Sequence, residues 1–403
     1  MHFLFIYESL GLGGTETLIA RMAKWLIQHD HQVTLLVKSS GVEKRLMPPG
    51  LKIIELGERY EKLYFYIGAK KIWKRLGLNV PVLIKAFDPK SAWIGTILST
   101  VLSPNPTLLV GAYGPYFIPD CKRPFRNWYG RLMTRNIERN VDCRSRVFMN
   151  AELLNEFRAT YGSDQKGLIW HLPVDGKQFS NAKRNPKWGA IVSVGRLELM
   201  KEYNLYMIDV IKRLAQKGHD VTWTVYGDGP FEARMRKQID AESLQGRIFL
   251  KGKVEYSKLS EAFSEAYIFV GMGTAIIEAA FCRVPGVVAL AHDTTGMTYG
   301  PLYNFPPGNC GDLMDSPPAR SVENEIERIL KMSPVEYEIE MSRVQSYAGC
   351  YGIDHQMTAF LKIAEQAKAA KKDLLLFLGY YFYSFYSCLR WPERHFKFAR
   401  QKP

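Results

Sequence analysis

AIVSVGRLELMKEYNLYMIDVIKRLAQKGHDVTWTVYGDGP, residues 190–230, contains two short apolar runs separated by a helical pattern. Ala190–Val194 has the length and β-branching of a strand buried on both faces of a sheet. From Lys201 to Gln216 apolar residues recur at helical spacing. Val221–Tyr226 is apolar again and stops at the turn Gly227-Asp228-Gly229-Pro230. A helix between two such strands returns the chain to the same end of the sheet, so the strands lie parallel.

The alternation continues on both sides. Downstream, Phe231–Ala241, Ser257–Glu265 and Gly273–Phe281 read as helices, with strands at Ile248–Leu250, Ile268–Val270 and Gly286–Leu290. Near the N-terminus, the run Phe3–Tyr7 leads into a glycine turn at residues 11–15, a helical pattern over Glu16–Gln28 and a second run at Val33–Val37. Each half is therefore a doubly wound α/β domain. The expected division is 1–172 for the first domain, 173–188 for a polar linker and 189–350 for the second domain. A C-terminal helix at 351–370 and a tail at 371–403 follow. Ligands in such folds meet the carboxyl ends of the strands, so a cleft between the two domains is the expected site.

Charge is unevenly distributed. Residues 1–172 carry 24 basic and 14 acidic side chains, residues 173–370 carry 23 and 24, and residues 371–403 carry 7 and 2. A basic first half and tail point to an anionic partner, either nucleic acid or anionic lipid. The six cysteines (Cys121, Cys143, Cys282, Cys310, Cys350, Cys388) include no CxxC pair, so the spacing offers neither a zinc site nor a disulfide framework. The opening MHFLFIYESLGLGG reads as a buried first strand and lacks a positive leader, which places the chain in the cytoplasm as an expectation.

Three turns carry candidate chemistry. Gly13 and Gly14 follow the first strand and open a helix, where free N–H groups attract phosphate. As a dinucleotide fingerprint this turn fails, because the third glycine position is Glu16 and the second strand ends in Lys38 and Ser39 without a ribose-binding acid. Arg196 and Lys201, just past Val194, place a guanidinium fork and an ammonium where both can converge on one diphosphate, with solvated surface charges as the plain alternative. Gly271-Met272-Gly273-Thr274 opens another helix, and Glu278 lies one turn into it, placed to accept hydrogen bonds from ribose hydroxyls. A structural glutamate in a first helical turn is the plain alternative.

In this order and spacing, GLGGTETLIARMAKWL, HLPVDGKQF, VGRLELMK, YGDGP, GMGTAIIEAAFCRVPGVVAL and YGIDHQMTAFLKIAEQA resemble the retaining glycosyltransferase family 4. The resemblance implies a GT-B fold of two Rossmann-like domains and transfer of a sugar from a nucleotide-diphosphate donor. It implies that Arg196 and Lys201 stabilise the leaving diphosphate, that Gly227, Gly271, Met272, Gly273, Thr274 and Glu278 bind the donor, and that Gly13, Gly14 and Tyr113 face phosphate and acceptor. No cofactor or metal is expected, since the positive groups replace a divalent ion. Two positions depart from the family pattern: Val270 stands where its first glutamate belongs, and Tyr113 in GAYGP where a histidine is usual.

Residues 122–146 hold eight basic and two acidic side chains interleaved with aromatic residues, a pattern suited to a membrane surface. Lys70, Lys71, Lys74 and Arg75 beside Tyr64, Phe65, Tyr66 and Trp73 have the same character. Leu374–Leu389 is uncharged with basic flanks, and as a helix it would span about 24 Å, short of a bilayer's hydrocarbon core. The candidate membrane contacts are Arg126, Trp128, Arg131, Arg135, Tyr380, Tyr381 and Tyr383. The expected partners are a nucleotide-sugar donor, a lipid-linked or glycolipid acceptor and the inner face of the cell membrane, with no nucleic acid. A sugar-nucleotide epimerase of the same fold and a non-catalytic binding protein are the competing readings.

Overall fold

A computed structural model describes residues 1–10, 13–39, 46–113, 128–375, 377–378 and 381. It divides into two units, Met1–Ile169 with Phe360–Pro403, and Trp170–Ala359.

In the first unit, strands β1 (His2–Ile6), β2 (Gln32–Val37), β3 (Lys52–Glu55), β4 (Leu83–Ala86), β5 (Thr107–Ala112), β6 (Arg146–Phe148) and β7 (Leu168–Ile169) form one parallel sheet. Their spatial order is β3-β2-β1-β4-β5-β6-β7. The order reverses between β1 and β4, where Phe5 pairs with Lys85, and this switch point opens a crevice at the strands' carboxyl ends. The helix Pro89–Val101 leaves β4 under an Asp88 cap, with Ser91 N–H donating to Asp88 at 2.8 Å. It is buried on nearly every face, because the sheet covers one side and the helix Trp128–Asn140 the other. Asn136 Nδ2 donates to Thr96 Oγ1 at 3.0 Å across that helix pair.

In the second unit, β8 (Ala190–Val194), β9 (Thr222–Tyr226), β10 (Ile248–Leu250), β11 (Ile268–Gly271) and β12 (Gly286–Val288) form a second parallel sheet in the order β10-β9-β8-β11-β12. Its switch point lies between β8 and β11. Ser193 Oγ donates to the Val270 carbonyl at 2.6 Å and accepts from Trp223 Nε1 at 2.9 Å, so one buried hydroxyl ties the three central strands together. Apolar clusters fill both faces of this sheet.

The expected boundaries shift in three places. Residues 173–188 are polar by composition, yet Val174 and Phe179 are wholly buried in the second unit. Arg184 also donates to the Arg283 and Ala266 carbonyls there, so the stretch is part of the domain rather than a linker. The C-terminal helix, Ile353–Gln366, is shared. Trp170 Nε1 donates to the Gln356 carbonyl at 2.7 Å, whereas Phe360 packs on Phe3 of the first unit. The start of the tail is anchored to protein: Phe377 is buried in the first unit's core, its ring 4.3 Å from Trp93 and 5.0 Å from Tyr66.

Candidate active site

Parallel strands bring the turns after β8, β9 and β11 to one edge of the second sheet. Two of those turns lock into each other. Gly195 N–H donates to the Tyr226 carbonyl at 2.9 Å, Leu197 N–H to Asp228 at 2.8 Å, and Phe231 N–H to Leu197 at 3.0 Å. Gly227 permits this approach: its φ of 156° and the Gly195 carbonyl against its Cα leave no room for a Cβ. Its own N–H is engaged by the Gly252 carbonyl at 2.8 Å, so Gly227 shapes the edge through close packing.

Lys201 ends a single helical turn, Leu199–Lys201, and its side chain folds back over Gly195, where a Cβ would collide with the ammonium. Burial lowers its pKa to about 8, with Arg196 acting in the same direction and the carboxylates of Glu198 and Glu278 opposing. Arg196 points outward, 60% exposed, paired with Glu198 at 3.0 Å. An ion pair so open to water holds its partner weakly, which leaves the guanidinium free to turn to a stronger anion.

Across the switch point, Gly273 has φ 73° and ψ −150°, and no atom stands within 4 Å of where its Cβ would be. Gly273 N–H is taken by the Cys310 carbonyl at 2.8 Å. The helix Thr274–Phe281 begins there without a side-chain cap, so the N–H groups of its first turn are the ones suited to an anion. Met272 is buried against Gly311, and Glu278 is buried within the helix and close enough to Lys201 to influence its charge. Arg196, Lys201, Glu278 and this helix start thus share one sheet edge. Val270, by contrast, is fully buried in β11 with its carbonyl accepting from Ser193, so that position offers no side chain to a ligand.

The first unit has its own set of groups. Lys85 is wholly buried on β4 at the switch point, and its Nζ makes one long hydrogen bond, 3.4 Å, to the adjacent Ala86 carbonyl. The ammonium rests 5.2 Å from the Phe87 ring centre and 5.1 Å from that of Tyr113, and Gly111 leaves space for it. Burial lowers its pKa to about 7. Sequence reading passed over this residue. Tyr113 is half-buried and meets Lys85 as its neighbour. At the first helix, Gly13 is the cap position before Gly14–Gln28, and the Glu16 carboxylate stands over it. A carboxylate at a helix start already complements the dipole and competes with any phosphate there.

The residues singled out for membrane contact divide. Arg126, Tyr380 and Tyr383 lie outside the described residues, as does the side chain of Trp128. Arg131 is half-buried and Arg135 exposed on a helix whose apolar residues Leu132, Met133 and Ile137 turn into the core. Tyr381 packs on Phe65 at 4.8 Å. Among the described residues no helix is long and apolar enough to cross a membrane.

Residues 175–347 match the family model for glycosyl transferases group 1. That match covers the switch-point residues of the second unit: Arg196, Lys201, Gly227, Gly273 and Glu278 all fall inside it. The phosphatidylinositol N-acetylglucosaminyltransferase GPI3 subunit of Saccharomyces cerevisiae is 26% identical over 175 residues, 39% of this chain and 37% of the relative. The 2-deoxystreptamine N-acetyl-D-glucosaminyltransferase of Niallia circulans is 28% identical over 146 residues, 35% of this chain and 36% of the relative. The matched region thus spans little more than a third of either curated relative. A glycosyltransferase crystal structure from Rickettsia africae superposes with a TM-score of 0.67 at 13% identity, over 91% of this chain and 98% of that one. The fold is GT-B, with two parallel α/β units, as the sequence pattern implied.

Proposed function

We propose that the protein is a retaining glycosyltransferase of family 4 that moves a sugar from a nucleotide-diphosphate donor to a membrane-located glycolipid or lipid-linked saccharide, in cell-surface polysaccharide synthesis. One observation carries the reading: Arg196, Lys201, Glu278 and the uncapped start of the Thr274–Phe281 helix share the carboxyl edge of one sheet at its switch point. When the bond between the anomeric carbon and the diphosphate oxygen breaks, its electron pair moves onto the leaving diphosphate. Arg196, Lys201 and the helix N–H groups neutralise that charge, without a metal ion in this reading. Glu278 receives the ribose hydroxyls. The two curated relatives are named for N-acetylglucosaminyl transfer, which makes a nucleoside-diphosphate N-acetylglucosamine the first donor to test. The inner face of the cell membrane is the proposed place of action.

A binding protein with a degenerate site is the second reading, favoured by an apolar residue at Val270. Thermal shifts with UDP, GDP, ADP, CDP and NAD, on wild type and Arg196→Ala, separate the two. A diphosphate at a hundred times its Kd stabilises by about 2.7 kcal/mol. Removing Arg196 is expected to lower turnover by roughly a hundredfold or more, the usual effect of deleting one charge-stabilising donor. Near-wild-type turnover in the variant, or no shift with any diphosphate, refutes the transferase reading.

A further inference from the structure

Two features separated by some three hundred positions in sequence meet on the first unit. On the helix Tyr66–Leu76, Ala69, Ile72 and Trp73 are buried, while Ile67, Lys70, Lys71, Lys74 and Arg75 are exposed. Those five recur at spacings of three and four, so they line one helix face, with the isoleucine at its start and four cations beyond it. The start of this helix is where the C-terminal segment docks. Phe377 inserts between Tyr66 and Trp93, Tyr381 lies on Phe65, and Lys372 sits 5.0 Å over the Tyr66 ring.

With Phe377 turned inward, three described leucines of the segment face water. Leu374 is 58% exposed, Leu375 80% and Leu378 42%, and Ile67, which follows the Tyr66 that Phe377 and Lys372 meet, is 70% exposed. Scattered exposed leucines need no explanation, but four aliphatic side chains beside a run of cations form a patch. The lysines are solvated and none of the four helix cations has an ion-pair partner among the described residues.

We propose that this composite face, Ile67 with Leu374, Leu375 and Leu378 above the stripe Lys70, Lys71, Lys74 and Arg75, seats the first unit on an anionic lipid bilayer. The aliphatic group enters the headgroup boundary and the cations meet lipid phosphates. Phe377 is the pin that holds the segment to the protein, so the tail acts as a docked edge of the first unit. The choice of lipid over another protein follows from the charge: the stripe is wholly basic and the apolar group is aliphatic and shallow. The inference rests on the proposed lipid-borne acceptor for its purpose, but its test does not depend on catalysis.

The full chain is sedimented with vesicles of phosphatidylcholine alone and of phosphatidylcholine with one third phosphatidylglycerol, alongside Leu374→Ser/Leu375→Ser/Leu378→Ser and Lys70→Glu/Lys71→Glu/Lys74→Glu. All six positions are exposed, so melting temperature and the diphosphate thermal shift are expected to stay at wild-type values in both variants. Wild type is expected to pellet with the anionic vesicles only. Each cation near such a surface is worth about a fivefold change in partitioning, so removing three costs on the order of a hundredfold and the reversed charges of the glutamates lower it further. The leucine variant loses binding as well. Equal binding to neutral vesicles, unchanged binding by either variant, or no pelleting of wild type overturns the proposal. Lipid-free self-association abolished by the serine changes overturns it in favour of a second copy of the chain. A missing diphosphate shift in wild type counts against the transferase reading and leaves the lipid result standing.

Discussion

Lys85→Met tests the strangest electrostatic feature of the first unit. The side chain is wholly buried on a central strand, and its ordinary value of 10.5 falls to about 7 through burial. A lysine whose folded-state value is lowered opposes folding wherever the unfolded chain still binds its proton. That cost is full below about 7 and disappears as pH rises through 10.5. At about 1.4 kcal/mol per tenfold difference, it amounts to roughly 4–5 kcal/mol at pH 6.5 and only about 1 kcal/mol at pH 9.5. Methionine nearly conserves the volume and carries no charge, so packing losses stay small. Calorimetry of both proteins is expected to show the first unit's transition raised by about 10 °C or more at pH 6.5, narrowing to a few degrees at pH 9.5. Diphosphate shifts in the second unit stay unchanged. A variant that melts lower than wild type, or a gap that does not narrow with pH, would show that the ammonium is compensated and that the reasoning fails.

Other perturbations address the second unit. Lys201 is held at about 8 by burial, and an arriving diphosphate favours its charged form. Diphosphate affinity measured by calorimetry is therefore expected to be constant below that value and to fall as pH rises through it. Lys201→Arg should flatten the profile between pH 7 and 9.5, and a flat wild-type profile would remove Lys201 from the site. Gly227→Ala drives a methyl into the Gly195 carbonyl, so the interlocked turns must part. A loss of roughly 2 kcal/mol or more in urea denaturation, together with weaker diphosphate binding, is expected, and unaltered stability would contradict the described packing.

The second unit was largely legible because its signals are local. A buried strand, a glycine turn and a helix start follow one another within a few residues at Val194–Lys201 and again at Ile268–Glu278, so each catalytic candidate announces its place on the sheet edge. The structure adds what a linear pattern lacks. It sets the order β8-β11, which makes the two turns neighbours, and it shows that the N–H groups of Gly227 and Gly273 are already engaged. Residues 173–188 misled by composition: lysines and prolines suggest a linker, while only the burial of Val174 and Phe179 makes the stretch part of the domain. At the start of the tail the sequence leaves packing on the protein and lipid contact both open, and only the structure shows Phe377 received by Trp93 and Tyr66 while Leu374, Leu375 and Leu378 stay exposed.

Lys85 was illegible for a physical reason. In PVLIKAF a single lysine reads as the solvent-facing member of an edge strand, and nothing nearby reveals that β4 lies beside β1 at the centre of seven strands. Once it is placed, the two switch points can be compared. Lys201 has Glu198 and Glu278 to support its charge, and burial lowers its value only to about 8. Lys85, flanked by the rings of Phe87 and Tyr113, is pushed lower, to about 7, by burial. An anion at the second switch point thus meets Lys201 with Arg196 beside it and two carboxylates supporting its charge, whereas at the first it meets a lysine buried against two aromatic rings. In the proposed transfer the diphosphate therefore belongs with the second unit, where Arg196 and the start of the Thr274–Phe281 helix stand on the same sheet edge as Lys201.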